Sequence, residues 1–377
     1  MKSLVKDLFR PHFQNFRGAR TNRKLLVIQS DDWGAIRTSS QSAIDDLAKA
    51  GIAVSDCHYT QFDALEGSDD LSAIFEVLDS VRDRNGSPAK LTANCLVANP
   101  DFEAIERIGF SKYIAEPVTT TFERSARTEG ADSLWLEGYT AGLFFPQSHS
   151  REHFNTARWM RYLESSDDIF RLLFKHRMYA LSSFLLPGSP SSYLSALQAP
   201  AAGEADERDK VLDDGFRMFR EIFGYGSKSF IAPNYVWDDV VENILYRLGV
   251  TYIQTSAVQQ PAAGIAKSPR IRRIHGQRNQ NGQLYLMRNV HFEPSSNRSI
   301  DWVAACMRDI SAAFLWNKPA IISTHRVNYI GALDESNRKR GLRHLKILLD
   351  SIIKRWPEVE FLSTTELGDL VSNRVAT

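Results

Sequence analysis

Two kinds of apolar pattern alternate along the chain. Residues 24–30, with Leu25, Leu26, Val27 and Ile28 in an unbroken apolar run, read as a buried strand. Residues 40–50 then carry Ile44, Leu47 and Ala48 at helical spacing. Residues 71–84 put Ile74, Phe75, Leu78 and Val81 on one helical face before Asn85-Gly86 closes it. Residues 91–98 predict a second strand, ended by Asn99-Pro100, and residues 142–145 a short third one. Helical spacing returns over 155–163 and 169–176, and 179–186 reads as a strand. Helix 208–223 turns Val211, Leu212, Phe216 and Phe219 inward. It is followed by strand 229–232, helix 237–248, strands 251–255 and 284–290, helix 300–314, strand 320–323, helix 342–355 and a last strand at 361–362. Four stretches depart from the rhythm: 56–68 as a loop, 101–138 as an irregular excursion, 187–203 as a Pro/Ser/Ala-rich loop or flap, and 259–283 as a polar, basic excursion.

Strand and helix alternating without internal repeat indicate a parallel sheet with helices outside it, open or closed into a barrel. The 377 residues suit one elaborated barrel domain, residues 23–377, with residues 1–22 as an N-terminal extension packed on it. Apolar residues make up 43%, enough for a large core. A net charge of +1 argues against nucleic acid as a partner held by bulk electrostatics. Three scattered cysteines, Cys57, Cys95 and Cys306, give neither a disulfide framework nor a thiolate metal motif, and suit a reducing, cytoplasmic setting. No apolar run has the length of a membrane span, and the N-terminus lacks the features of a secretory signal. That segment mixes Leu4, Val5, Leu8, Phe9 and Phe13 with Lys2, Lys6, Arg10 and Arg17. The pattern fits an amphipathic helix docked on the barrel, and equally a helix lying in a membrane interface.

Candidate chemistry concentrates in two places. In FPQSHSREHF, His149 and His153 stand four residues apart, which on one turn of helix would stack their imidazoles for a single divalent ion. Far upstream, Asp31-Asp32 follow the first strand. Each piece alone has a plain reading, as a chance helical pair and as a turn or helix cap. Placed together at strand ends of an α/β barrel, they converge on the face where active sites form. Glu152 does not make this a zincin, because that signature needs Glu directly after the first His, where Ser150 stands.

In that order the motifs resemble those of the polysaccharide deacetylase family, the NodB-type carbohydrate esterases. The resemblance implies a distorted (β/α)7 barrel, here with long loop insertions, holding one divalent metal. Ser30-Asp31-Asp32 matches the first motif and implies Asp31 as general base and Asp32 as metal ligand. His149-Ser150-Arg151-Glu152-His153 matches the second and implies both histidines as ligands, with Ser150 bracing the loop. Ile321-Ile322-Ser323-Thr324-His325 matches the last and implies His325 as general acid. In the third motif Pro233 aligns, but Ile231 stands where the family has an arginine that orients the base. Arg151, Arg288 and Arg326 are the candidates to replace it. The family's fourth motif has no identifiable match.

The resemblance implies a metal-dependent hydrolase that removes an N- or O-acetyl group from a glycan or sugar-containing precursor. Zinc is the first expectation; Fe, Co, Ni and Mn suit the same donors. The Asn234 backbone N–H is the candidate oxyanion donor, and Tyr235 and Trp33 are candidates to meet the sugar. The alternatives are a glycoside hydrolase, using Asp31 with Glu152 or Glu293, and a non-catalytic metal- or sugar-binding protein.

Overall fold

The computed structural model describes residues 10–186, 193–200, 206–262 and 270–375. Its main sheet contains β1 (Leu25–Trp33), β2 (Leu91–Cys95), β3 (Phe144–Ser148), β4 (Ser229–Ile231), β5 (Tyr252–Thr255), β6 (Leu284–Met287), β7 (Val290–His291), β8 (Ala320–His325) and β9 (Glu360–Phe361). The order across it is β6-β5-β4-β3-β2-β1-β8-β7, with every neighbouring pair parallel and β9 beside the first residues of β1.

The ends of this order decide the shape. Only Arg288 and Asn289 separate β6 from β7, which lie at opposite edges. In a flat sheet those edges would be roughly 34 Å apart at the usual strand spacing. Three peptide units reach only about 11 Å. The sheet must therefore curl until its edges meet. With β6 and β7 counted as two halves of one position, it is the distorted (β/α)7 barrel, with an unpaired seam between them.

The barrel interior is graded. Toward the amino ends, Leu25, Val27, Leu284, Leu286 and Ile321 form an apolar plug, sealed by Leu367 and Val371 of the last helix, Thr364–Val375. Above it comes a polar layer. Gln29 accepts from Arg288 and donates to Thr364, while Asn94 and Gln254 exchange hydrogen bonds. Ionised groups follow at the carboxyl ends. Outside the sheet, Leu26, Ile28, Leu91 and Ile322 pack against helices that include Ser68–Asp79, Trp302–Leu315 and Glu335–Arg355. Helix 10–15 lies over the seam, where Asn289 donates to Asn15 at 2.8 Å and His12 and Phe16 meet the Trp316 ring.

Several sequence expectations change. Residues 101–138 are largely helical (Phe102–Arg107, Val118–Glu123, Ala131–Thr140), with Phe102, Ile105, Phe122 and Trp135 buried. The first two helices span fewer turns than periodicity can register. The stretch 179–186 joins no sheet. The Tyr193 hydroxyl accepts from Leu181 N–H and donates to the Tyr179 carbonyl, both at 2.7 Å, taking the place of a neighbouring strand. The strand expected over 284–290 is split at Arg288-Asn289. Helix Thr364–Val375 had no counterpart in the sequence reading. In the second excursion, Val258–Pro261 pairs with Ile271–Arg272 and with Val236–Trp237. Most of the expected flap at 187–203 lies outside the described residues.

Candidate metal and acid–base site

Asp31 and Asp32 share one strand, where successive side chains should face opposite ways. A bulge removes the conflict. Ser30 pairs with Ala93 and Trp33 with Cys95, so β1 uses three steps where β2 uses two. Asp32 absorbs the extra residue with φ 75°. Asp31 and Asp32 thereby both turn to the barrel's carboxyl end.

His149 and His153 are not on a helix. They lie on a bent loop between β3 and helix Thr156–Glu164. Ser150 has φ 85° and its hydroxyl has no hydrogen-bond partner, so its part in the loop is the backbone turn rather than a bracing side chain. The loop is tied down by His149 N–H to the Cys95 carbonyl and by the Arg151 carbonyl, which accepts from Val97 and Ala98. Asn234 and Tyr235, in the turn after β4, both have φ 56°. Four of the eight non-glycine residues with positive φ among those described thus border one site, a clustering typical of functional backbone.

Asp32 Oδ1 lies 3.6 Å from His149 Nε2 and 3.4 Å from His153 Nε2. A tetrahedron with metal–ligand distances of about 2.1 Å has an edge of about 3.4 Å. All three residues are buried, and Oδ1 has no hydrogen-bond partner. His149 Nδ1 is 2.9 Å from the Ile231 carbonyl, which directs Nε2 inward. Burial pushes the His153 imidazolium down to about 3, keeping a free lone pair. Burial alone would raise Asp32, but the Arg37 guanidinium beside it holds it well below the usual carboxylate range. One carboxylate and two imidazoles aimed at one point fit a divalent metal.

Asp31 is gripped on both oxygens. Arg288 donates Nη1 to Oδ2 and Nη2 to Oδ1, each at 2.6 Å, and Asn94 donates to Oδ1 at 2.7 Å. Burial disfavours its charge, yet the Arg288 charge and hydrogen bonds win and keep it ionised. Of the three candidate arginines, Arg288 is therefore the one that reaches Asp31, from the barrel seam. Arg151 instead pairs with Glu152 and Asp214, and Arg326 with Asp63 and Glu66. His325 Nε2 lies 3.7 Å from Asp31 Oδ2, and its Nδ1 meets Glu293 Oε1 at 2.6 Å. Burial works against the imidazolium, but Glu293 outweighs it and raises His325 to about 9. Its side chain is 25% exposed, so the site opens on the His325 side.

Tyr235 places its hydroxyl 3.2 Å from Arg288 Nη1, at the rim. Trp33 does not reach the site. Its ring is fully buried, bonded to Ser30 Oγ and packed edge-on against Phe144, because the bulge returns it to the helix-facing side of β1. The sequence reading also missed a chain of buried charges behind Asp32. Arg37 reaches Asp32 Oδ2 at 3.3 Å and Asp63 at 3.4 Å, Asp63 meets Arg326, and Glu66 holds both Arg326 and the Gly34 N–H. Arg37, a charge that directly follows the apolar Ala35-Ile36 five residues past Asp32, was the one available signal.

No family model and no curated protein matches the chain. Similar solved structures include one from Mycobacterium smegmatis assigned as a polysaccharide deacetylase (TM-score 0.48, 9% identity, 95% of this chain and 93% of that one). A peptidoglycan deacetylase from Bacillus subtilis is similar at TM-score 0.38 and 10% identity, covering 94% of this chain and 95% of the other. A 4-alpha-glucanotransferase from Thermococcus litoralis is similar at TM-score 0.43 and 9% identity, covering 91% of this chain and 40% of the other. At these scores the likeness says nothing about reaction or substrate.

Proposed function

We propose that the protein is a metal-dependent hydrolase that removes an acyl group, N- or O-acetyl, from a sugar-containing substrate. The observation that carries this reading is the pairing of two sites a few ångströms apart. One is the Asp32-His149-His153 group with its orphaned Oδ1; the other is an ionised Asp31 facing a protonated His325. A bound divalent ion, zinc first among those the donors suit, would acidify a water and polarise the acyl carbonyl. Asp31, oriented by Arg288 and Asn94, takes the water's proton on Oδ2, the oxygen with fewer hydrogen bonds. The Asn234 N–H, at the carboxyl end of β4, is the oxyanion donor in this scheme. Glu293 holds Nδ1 of His325, leaving the Nε2 proton for the departing amine or alcohol. Tyr235 lines the approach.

The competing readings weaken on particular contacts. A glycosidase needs a carboxylic acid free to protonate and a second carboxylate opposite it. Glu152 is turned to Arg151 and Tyr113, Glu293 to His325 and Asn328, and Asp31 is clamped by Arg288. A non-catalytic role was suggested by the missing arginine, and Arg288 supplies that charge from the seam between β6 and β7.

The test is metal content and hydrolysis rate, on an N-acetylated sugar and on an activated acetate ester. Asp31→Asn should keep the metal and lose about 10²–10⁴-fold in rate. His149→Ala should lose both. His325→Ala should be hurt far more on the N-acetyl sugar, whose amine needs protonation to leave. Full activity in Asp31→Asn, or equal losses on both substrates in His325→Ala, would refute these roles.

A further inference from the structure

At the amino end of the barrel, opposite the acid–base site, an apolar ridge stands in solvent. Phe13 is 80% exposed and Phe16 57%, one helical turn apart, and Leu315 is 72% exposed. Trp316 joins them into one surface, its ring 5.5 Å from that of Phe16. The ridge lies in a stretch of one charge sign. Between Asp7 and Asp31 the chain has no acidic residue, while residues 10–24 carry four arginines and a lysine. Arg17 and Arg20 are exposed beside the ridge. Arg23 is paired with Glu360, which leaves Arg17 and Arg20 as the cations beside the ridge, and large apolar side chains held in water and flanked by such cations complement an anionic bilayer surface. The rings enter the acyl boundary while the guanidinium groups stay among the headgroup phosphates.

We infer that this face docks the protein on membranes containing anionic lipid. The site residues lie at the other ends of β1 and β8, so docking leaves the catalytic opening clear of the bilayer. This surface does not depend on the acyl-hydrolase reading.

The experiment is co-sedimentation of the full chain with vesicles of phosphatidylcholine alone and with added phosphatidylglycerol. Binding should need phosphatidylglycerol and weaken as salt rises. Phe13→Ser with Leu315→Ser should lower the partition coefficient by about tenfold or more, since both rings and chains point into water and their loss leaves the core intact. Arg17→Gln with Arg20→Gln should remove the preference for anionic lipid, with an unchanged thermal melt in each variant. Equal binding by the apolar variant and the parent would overturn insertion. Absence of vesicle binding, or a dimer that the Phe13→Ser change dissolves, would overturn the membrane as occupant and point to a second copy.

Discussion

Asp31 shows how much one side-chain contact can decide. A carboxylate buried this deeply should resist ionisation, and the paired guanidinium of Arg288 reverses that. Arg288 has no exposed side-chain surface, so its removal strands a buried charge. Arg288→Ala should therefore destabilise the fold by about 3–5 kcal/mol. At a temperature where the variant stays folded, it should keep its metal while turnover falls by about 10²-fold or more. Denaturant titration, metal analysis and rate measurement separate the two effects. Lysine should rescue poorly, because it cannot reproduce the two-pronged contact. His325 offers a pH prediction. Glu293 raises its pKa to about 9, so the acid form persists through neutrality and activity should fall on the alkaline side. Glu293→Gln should move that alkaline limb toward the ordinary histidine value, costing more activity at pH 8 than at pH 6. An unmoved limb would mean that another group sets it. The sign for stability is the same: the ion pair contributes fully below the unfolded pKa of 6.5 and is lost as pH rises through about 9.

At the scale of elements, the site depends on close backbone approaches. Helix Glu335–Arg355 passes the turn after β8 so tightly that a Cβ on Gly341 would lie 1.7 Å from the Asn328 carbonyl oxygen. Asn328 in turn donates to Glu293 Oε2 at 2.7 Å. Gly341→Ala should push the turn away, destabilise the fold by about 1–3 kcal/mol or more, and loosen Glu293 from His325. The check is a denaturation curve together with the pH–rate profile, whose alkaline limb should fall as it does in Glu293→Gln. At the other end, Leu367 of the last helix seals the apolar plug and is fully buried. Leu367→Ala should cost about 2–5 kcal/mol in chemical denaturation, with the metal site intact, because the polar layer of Gln29 and Thr92 lies between them.

For the molecule as a whole, the metal group ties together β1 and the loop after β3, and Arg288 ties the seam to β1. A ligand that binds only the folded barrel stabilises it by mass action. Saturating zinc should raise the melting temperature and a chelator should lower it by several degrees, an effect that Asp32→Asn should abolish. An unchanged melt in the parent would show that the three donors do not bind the ion tightly.

The sequence by itself determined the alternation of strands and helices, because buried strands and amphipathic helices leave periods of their own. It also singled out Asp31, Asp32, His149 and His153 by residue type and position after strands, and His325 through the resemblance of its motif to that of the polysaccharide deacetylases. It could not show that β1 bulges at Asp32, because backbone twist leaves no mark on residue type there, and so it could not say why two adjacent acids face one site. It read Trp33 as a surface for sugar, whereas the same bulge sends that ring into the core. Above all it could not choose among Arg151, Arg288 and Arg326. Each is an arginine beside other charges, and only closure of the barrel, which brings the seam between β6 and β7 up to β1 some 257 residues earlier in the chain, puts Arg288 on Asp31.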